Sequence, residues 1–284
     1  MRFAGEPRQA DTPILFYSER GEAKTLFRMS VDGREVTPLP QPGPGTFDQD
    51  WSPDGKQIAY SQRIAEGGLY EVFVMDADGS QPVRLTRSGG WYPAFSPDGA
   101  RVAYLTVGGP EGRGDWEIHL MNRDGTGSRR LAGGPEFRLG RLAWSPDGRR
   151  IAASTWSGLV LLDLQGGAPV QLTTGPRPGW DGSPAWSPSG DRIAFGRCEA
   201  DPWRCGIHTI APSGSGLVRL TGGVRSDFYP SWSPDGERIA FSRDEFGSDV
   251  FIMNADGSNP VNLTADNPGM DVAPRWRQAA GPRR

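Results

Sequence analysis

Five times the chain repeats an aromatic residue followed by Ser-Pro, one further residue and Gly: WSPDG at Trp51, FSPDG at Phe95, WSPDG at Trp144, WSPSG at Trp186 and WSPDG at Trp232. An unaccompanied RWRQ around Trp276 marks a sixth position, and successive anchors lie 44, 49, 42, 46 and 44 residues apart. A unit of this length cannot bury its own apolar faces and must stack on copies of itself. Four short strands per unit, recurring at this period, make the blades of a propeller. The repeat therefore fixes the architecture before any single residue is weighed.

The copy at residues 229–264 shows how one unit is built. Ser231–Ser233 reads as a first strand and Arg238–Ser242 as a second, joined by Pro234-Asp235-Gly236. Proline pre-sets φ at the first central turn position, aspartate bonds backbone two residues on, and glycine accepts the left-handed conformation. VFIMN is the third strand, closed by Ala255-Asp256-Gly257, and PVNLT is the fourth. Equivalent parts occur in residues 48–86, 91–131, 141–173 and 182–221, giving five complete blades. The N-terminus offers ILFYSE, LFRMSVDG and VTPLP, three strands with no WSPDG before them. The strand they lack stands at the other end of the chain, where APRW around Trp276 has no turn after it. The sequence thus predicts an all-β, six-bladed propeller of four antiparallel strands per blade, closed by a C-terminal strand at about 271–277 pairing with the N-terminal three. Closure in this way removes open sheet edges. The expected organisation is an extension at 1–11, one propeller at 12–278 and a tail at 279–284.

Composition narrows the function. Lys+Arg 31 against Asp+Glu 34 leaves a net charge of -3 with no basic block, so the electrostatic footprint of a nucleic-acid binder is missing. No run of 18 apolar residues predicts membrane insertion, and MRFAGEPRQADTP has no apolar core of a signal peptide. The expected location is periplasmic or extracellular if an export signal was removed, and cytoplasmic otherwise. Cys198 and Cys205, the only cysteines, flank a short loop between two strands expected to pair. A cross-strand disulfide there would point to an oxidising compartment; two ordinary thiols are the alternative. Without His or acid partners they make no zinc site.

The blade pattern resembles PD40 repeats, whose consensus is close to W-S-P-D-G-x-x-I-A-F, then I-Y-V-M-D-A-D-G and x-x-R-L-T. The likeness runs over residues 12–278, and TolB-like propellers are the family it fits most naturally. That resemblance implies a periplasmic protein binding partner proteins, notably the lipoprotein Pal, at the propeller mouth. It also implies an α/β domain before the propeller, for which these 284 residues hold no counterpart. Related repeats form the propellers of dipeptidyl-peptidase and tricorn-type oligopeptidases, and sensor modules of bacterial proteins.

Most singular residues read as structural. His119 and His208 share the third-strand slot of Phe27, Phe73, Val160 and Phe251, a packing position between blades. Met29, Met75, Met121 and Met253 share a core slot with Leu162 and Ile210. The aromatic anchors should pack between blades, and Asp54, Asp98, Asp147 and Asp235 should form turns, with Ser189 standing in for one of them. No G-x-S-x-G, H-E-x-x-H, P-loop or CxxC occurs, and no D-x-D-x-D-G calcium run, so neither catalysis nor metal nor cofactor is expected.

What differs between repeats lies on one face. The tight turns are uniform, whereas VGGPEGRGDW, AGGPEFRLGR, TGPRPGWDG and RCEADPWRCG are not, and insertions on one face of a repeat array mark its binding side. The segments approaching each first strand, TFDQ, GWYP, LGRL, DGSP, DFYP and DVAP, should line the channel mouth. They supply Asp48, Trp91, Tyr92, Arg141, Asp181, Asp227, Phe228, Tyr229 and Asp271, with Phe137, Arg138 and Trp180 at the rim. Polar groups converging among aromatics suit a peptide, a protein segment or a small polar ligand; for Asp181, Asp227 and Asp271 a plain strand-capping role is equally open. The expectation is a monomeric, non-enzymatic binding or scaffold protein. The alternatives are a propeller module of a peptidase or polysaccharide-processing enzyme whose catalytic part lies elsewhere, and a sensor domain of a longer regulatory protein.

Overall fold

A computed structural model of the chain describes residues 13–20, 23–40, 45–64, 68–109, 114–175, 179–199, 204–222, 225–244, 247–267 and 269–278. The extension 1–11 and the tail 279–284 lie outside the described residues. The first three strands are β1 (Ile14–Arg20), β2 (Ala23–Met29) and β3 (Thr37–Pro38). The first blade follows as β4 (Thr46–Trp51), β5 (Gln57–Arg63), β6 (Tyr70–Asp76) and β7 (Val83–Arg84). The second is β8 (Trp91–Phe95), β9 (Arg101–Val107), β10 (Trp116–Asn122) and β11 (Arg129–Gly133). The third is β12 (Ala143–Trp144), β13 (Arg150–Thr155), β14 (Gly158–Asp163) and β15 (Val170–Gln171). The fourth is β16 (Trp180–Trp186), β17 (Ile193–Cys198), β18 (Cys205–Ile210) and β19 (Val218–Arg219). The fifth is β20 (Ser226–Trp232), β21 (Arg238–Asp244), β22 (Ser248–Asn254) and β23 (Val261–Asn262). The last strand, β24 (Asp271–Trp276), does not begin a new sheet but joins the N-terminal three in the order β24-β1-β2-β3. Ile14 faces Trp276 and Ser18 faces Asp271, which locks the two ends of the chain into the sixth blade.

Apolar residues collect between blades, not within them. Six clusters straddle the six junctions; one combines Ala59, Val72 and Val74 with Phe95, Val102, Tyr104 and Met121 of the next blade, and another unites Ala240, Val250 and Ile252 with Ile14, Phe16 and Trp276 across the seam. The anchor aromatics sit in these junctions, and Trp144 and Trp232 also donate their indole N–H to Ala94 and Ala185 carbonyls of the preceding blade, at 3.0 and 3.2 Å. His208 is buried and packs on Phe195, and His119 packs on Tyr104 with ring centroids 5.6 Å apart.

The SPDG turns are closed hydrogen-bond systems. In the third blade Ser145 Oγ donates to Asp147 at 2.6 Å and accepts from Arg150 N at 2.9 Å, while Asp147 accepts from Arg149 N at 3.0 Å. Gly148 closes the turn with φ 68°, which an L side chain adopts only with strain. Where Ser189 replaces the aspartate, Asp191 takes over and accepts from Ser187 at 2.8 Å. The threonine ending each R-L-T or related fourth strand plays an equally local part, since Thr86, Thr173, Thr221 and Thr264 each accept a third-strand N–H, between 2.9 and 3.0 Å.

Candidate functional site

The innermost strand of each blade borders the channel, and these strands are longer than the sequence suggests. β20 begins at Ser226, five residues before the predicted start, because the approach segments fold into the strands through a β-bulge. The bulge is concealed in sequence because the extra residue breaks the two-residue alternation that announces a strand. Register shifts occur in β4, β8, β16, β20 and β24, and each leaves a non-glycine residue at positive φ: Asp48 (58°), Tyr92 (51°), Ser183 (52°), Tyr229 (57°) and Ala273 (65°). All five stand three residues before the anchor aromatic. Left-handed backbone at such residues costs on the order of 1–3 kcal/mol each and accumulates where function or closure requires it. The third blade is the exception, since β12 is only two residues long and the equivalent residue, Arg141, has no positive φ.

Arg141 reaches instead to the opposite side of the ring. Its guanidinium donates to the Ala273 and Pro274 carbonyls of the sixth blade at 2.8 and 3.4 Å and lies 4.9 Å from the Tyr229 ring centroid. Gln49 Nε2 donates to the same Ala273 carbonyl at 2.6 Å. Arg141 thus spans the channel as a strut between blades three positions apart. Asp48, Tyr92 and Tyr229 share its electrostatic neighbourhood. Burial pushes the Asp48 carboxyl up to about 8 against the pull of Arg141 and Arg275, and one of its oxygens has no hydrogen-bond partner. Burial likewise pushes both tyrosine hydroxyls up, with Asp48 adding to it. Desolvation acts on Arg141 in the opposite sense, although a guanidinium stays protonated at neutral pH.

The remaining predicted mouth residues divide. Asp181, Asp227 and Asp271 are buried and each meets an arginine of the adjoining strand: Arg197 at 2.7 Å, Arg243 at 2.7 Å and Arg20 at 2.8 Å. Trp91 packs edge-on against Trp116 at 5.4 Å, and Phe228 edge-on against Tyr229 at 5.6 Å. Phe137 is buried in the junction between the second and third blades. Arg138 lies between Trp156 and Trp180, at 4.8 and 5.0 Å from their centroids. Trp116 closes the irregular segment VGGPEGRGDW and Trp156 stands between β13 and β14; the sequence names neither as a site residue, because the second-to-third-strand connections differ in length from blade to blade. Cys198 and Cys205 face each other across β17 and β18 and are disulfide-bonded.

The opposite face is the uniform one in sequence, and there the structure adds a feature. A cavity of ≈ 380 Å³ opens among the SPDG turns, walled by Trp51, Trp144, Trp186, Trp232 and the turn prolines. Its floor is the residue just before each anchor: Asp50, Ala94, Ala143, Ala185, Ser231 and Arg275. Four small side chains leave the space, and the two charged ones, 3.6 Å apart, occupy neighbouring blades. The signal for it in sequence is the run of small residues at that one position of the repeat.

Known proteins share this architecture. The family model described as "TolB beta propeller domain", PD40, matches residues 100–280. "Uncharacterized peptidase YuxL" of Bacillus subtilis (strain 168) is 28% identical over 151 residues, 52% of this chain and 21% of that protein. "Tol-Pal system protein TolB" of Gluconobacter oxydans (strain 621H) is 31% identical over 109 residues, 34% of this chain and 22% of that protein. The crystal structure of TolB from Acinetobacter baumannii, at 20% identity, superposes with a TM-score of 0.81 over 96% of this chain and 68% of that one, a likeness in fold. The chain spans only 21%, 47% and 19% of three of the curated relatives it matches.

Proposed function

Because the chain belongs to the family of PD40, TolB-type β-propeller domains, we propose that it is a non-enzymatic binding protein that captures a peptide or a segment of a partner protein on the loop face, over the channel mouth. The observation that carries this reading is the convergence of Asp48, Tyr92 and Tyr229, each at a bulge, with Arg141 of the bulge-free third blade on the channel, next to partly exposed Trp91, Trp116, Trp180 and Phe228. Rigid aromatics around a few fixed polar groups bind a segment at small entropic cost. The Cys198–Cys205 disulfide favours an oxidising compartment, the periplasm or the exterior. Five of the six outer strands, β3, β7, β15, β19 and β23, are two residues long and offer little edge for another chain, β11 with five residues being the exception, which favours a monomer.

Selection of random short peptides by display on the folded protein tests this. Tyr92→Ala, Arg141→Ala and Tyr229→Ala are each expected to weaken a selected peptide by roughly tenfold or more. Ala143→Leu, which fills the cavity on the other face, is expected to leave binding unchanged. Unaltered affinity in all three mouth variants, or loss only in the cavity variant, removes the site from the loop face.

A second reading draws on the peptidase names among the relatives: the propeller would be one module of a longer enzyme, since it spans 21% of YuxL. Binding of the isolated chain to a separately produced hydrolase domain, with no peptide captured, would favour it.

A further inference from the structure

Resting on the loop-face reading above, we propose that the captured segment is acidic and that Arg138 receives its carboxylate. Arg138 stands in the connection between β11 and β12, half-buried, its guanidinium between the indole of Trp156 in the third blade and that of Trp180 at the start of the fourth. Trp156 is 62% exposed, so the slot opens to solvent. Its central carbon lies over both rings, and among the described residues none of its five side-chain N–H donors has a hydrogen-bond acceptor. Among the described residues no carboxylate pairs with it.

That isolation is unusual around this channel. Arg20, Arg197 and Arg243 are matched one to one with Asp271, Asp181 and Asp227, and Arg141 is committed to the Ala273 and Pro274 carbonyls. The Asp48 carboxyl is disfavoured as a charge by burial, so it supplies little compensation. Arg138 also lies near Tyr92, whose hydroxyl senses both Arg138 and Arg141. A planar guanidinium held against two indoles and partly dehydrated is prearranged for a bidentate pair with a carboxylate. A neutral partner would leave those donors unpaired, and a cationic one would be repelled. The carboxylate of an acidic side chain and that of a chain terminus share this chemistry.

The test uses synthetic copies of display-selected peptides with the whole chain. Asp and Glu should be enriched, and neutralising one acid as Asn or Gln should weaken binding to the wild type roughly tenfold but hardly at all to Arg138→Gln. Arg138→Lys should fall between, keeping charge without the planar fork. Trp156→Ala, at an exposed position, should weaken the same peptides while the thermal melt stays put. If amidating the peptide C-terminus carries the coupling instead, the terminal carboxylate is the ligand and the proposal stands. Peptides that depend on Tyr229 but lose nothing on neutralisation, or lose equally on wild type and Arg138→Gln, overturn the role of Arg138 and leave the binding reading intact. Peptides indifferent to every loop-face variant overturn both.

Discussion

At the scale of single residues, the channel separates buried charges by whether they have a partner. Asp181 is fully buried with Arg197 on one side and the Thr173 hydroxyl on the other. Arg197→Ala leaves that carboxylate unpaired and is expected to cost about 3–5 kcal/mol in urea denaturation. The exposed Arg34–Asp32 pair is the control, and its loss should scarcely move the midpoint. Asp48 behaves oppositely. Its carboxyl titrates at about 8 in the fold and near the ordinary value of about 3.9 in the unfolded chain. Between those values the native state holds a proton that the unfolded state has released. The contribution of Asp48 is therefore fully present below about pH 4 and is lost as pH rises toward 8, at up to about 1.4 kcal/mol per pH unit. Asp48→Asn should remove that slope, so that its melting temperature exceeds the wild type's increasingly from pH 5 to pH 8. A constant difference across that range would show that Asp48 is ionised in the fold.

At the scale of elements, each blade repeats one local solution and varies it where the repeat meets the channel. The turn system of Ser, Asp and Gly tolerates Ser189 because Asp191 restores the acceptor. The inner strands tolerate positive φ because blades on both sides hold them in place, which no strand could achieve alone. The hairpin of β17 and β18 carries its own clamp, the Cys198–Cys205 bond at a sequence separation of 7. Closing so short a loop stabilises by about 2.5 kcal/mol. The double variant Cys198→Ser, Cys205→Ser should lose about that much and keep cooperative unfolding; reductant should reproduce the loss in the wild type and do nothing to the variant. The period-two and turn signals of these elements are plain in sequence. The bulges are not, because one extra residue such as Tyr92 or Tyr229 reads as loop until its neighbours show the strand running past it.

At the scale of the whole molecule, the ring is one cooperative object only because β24 closes it. Removing residues 271–284 deletes Trp276 from the last junction and leaves Arg20 without Asp271 opposite it, exposing the edge of β1. The truncated chain should melt well below the full one and with a broader transition by calorimetry; an unchanged transition would mean that five blades and a remnant are self-sufficient. The sequence by itself determined the blade count, the seam between the ends of the chain, and which residues are turn or core, because those follow from local propensity and a period that recurs. It also named Tyr92, Arg141 and Tyr229 as departures from the repeat, and Asp48 as a channel-mouth residue beside them. Only the tertiary structure decided what the departures do. Whether Asp181 is a ligand group or the mate of Arg197, whether Arg141 faces solvent or the far wall, and whether Arg138 stands alone are matters of distance between segments tens to more than a hundred residues apart. Charge and hydrogen-bond energies fall steeply with such distances, and no local pattern encodes them.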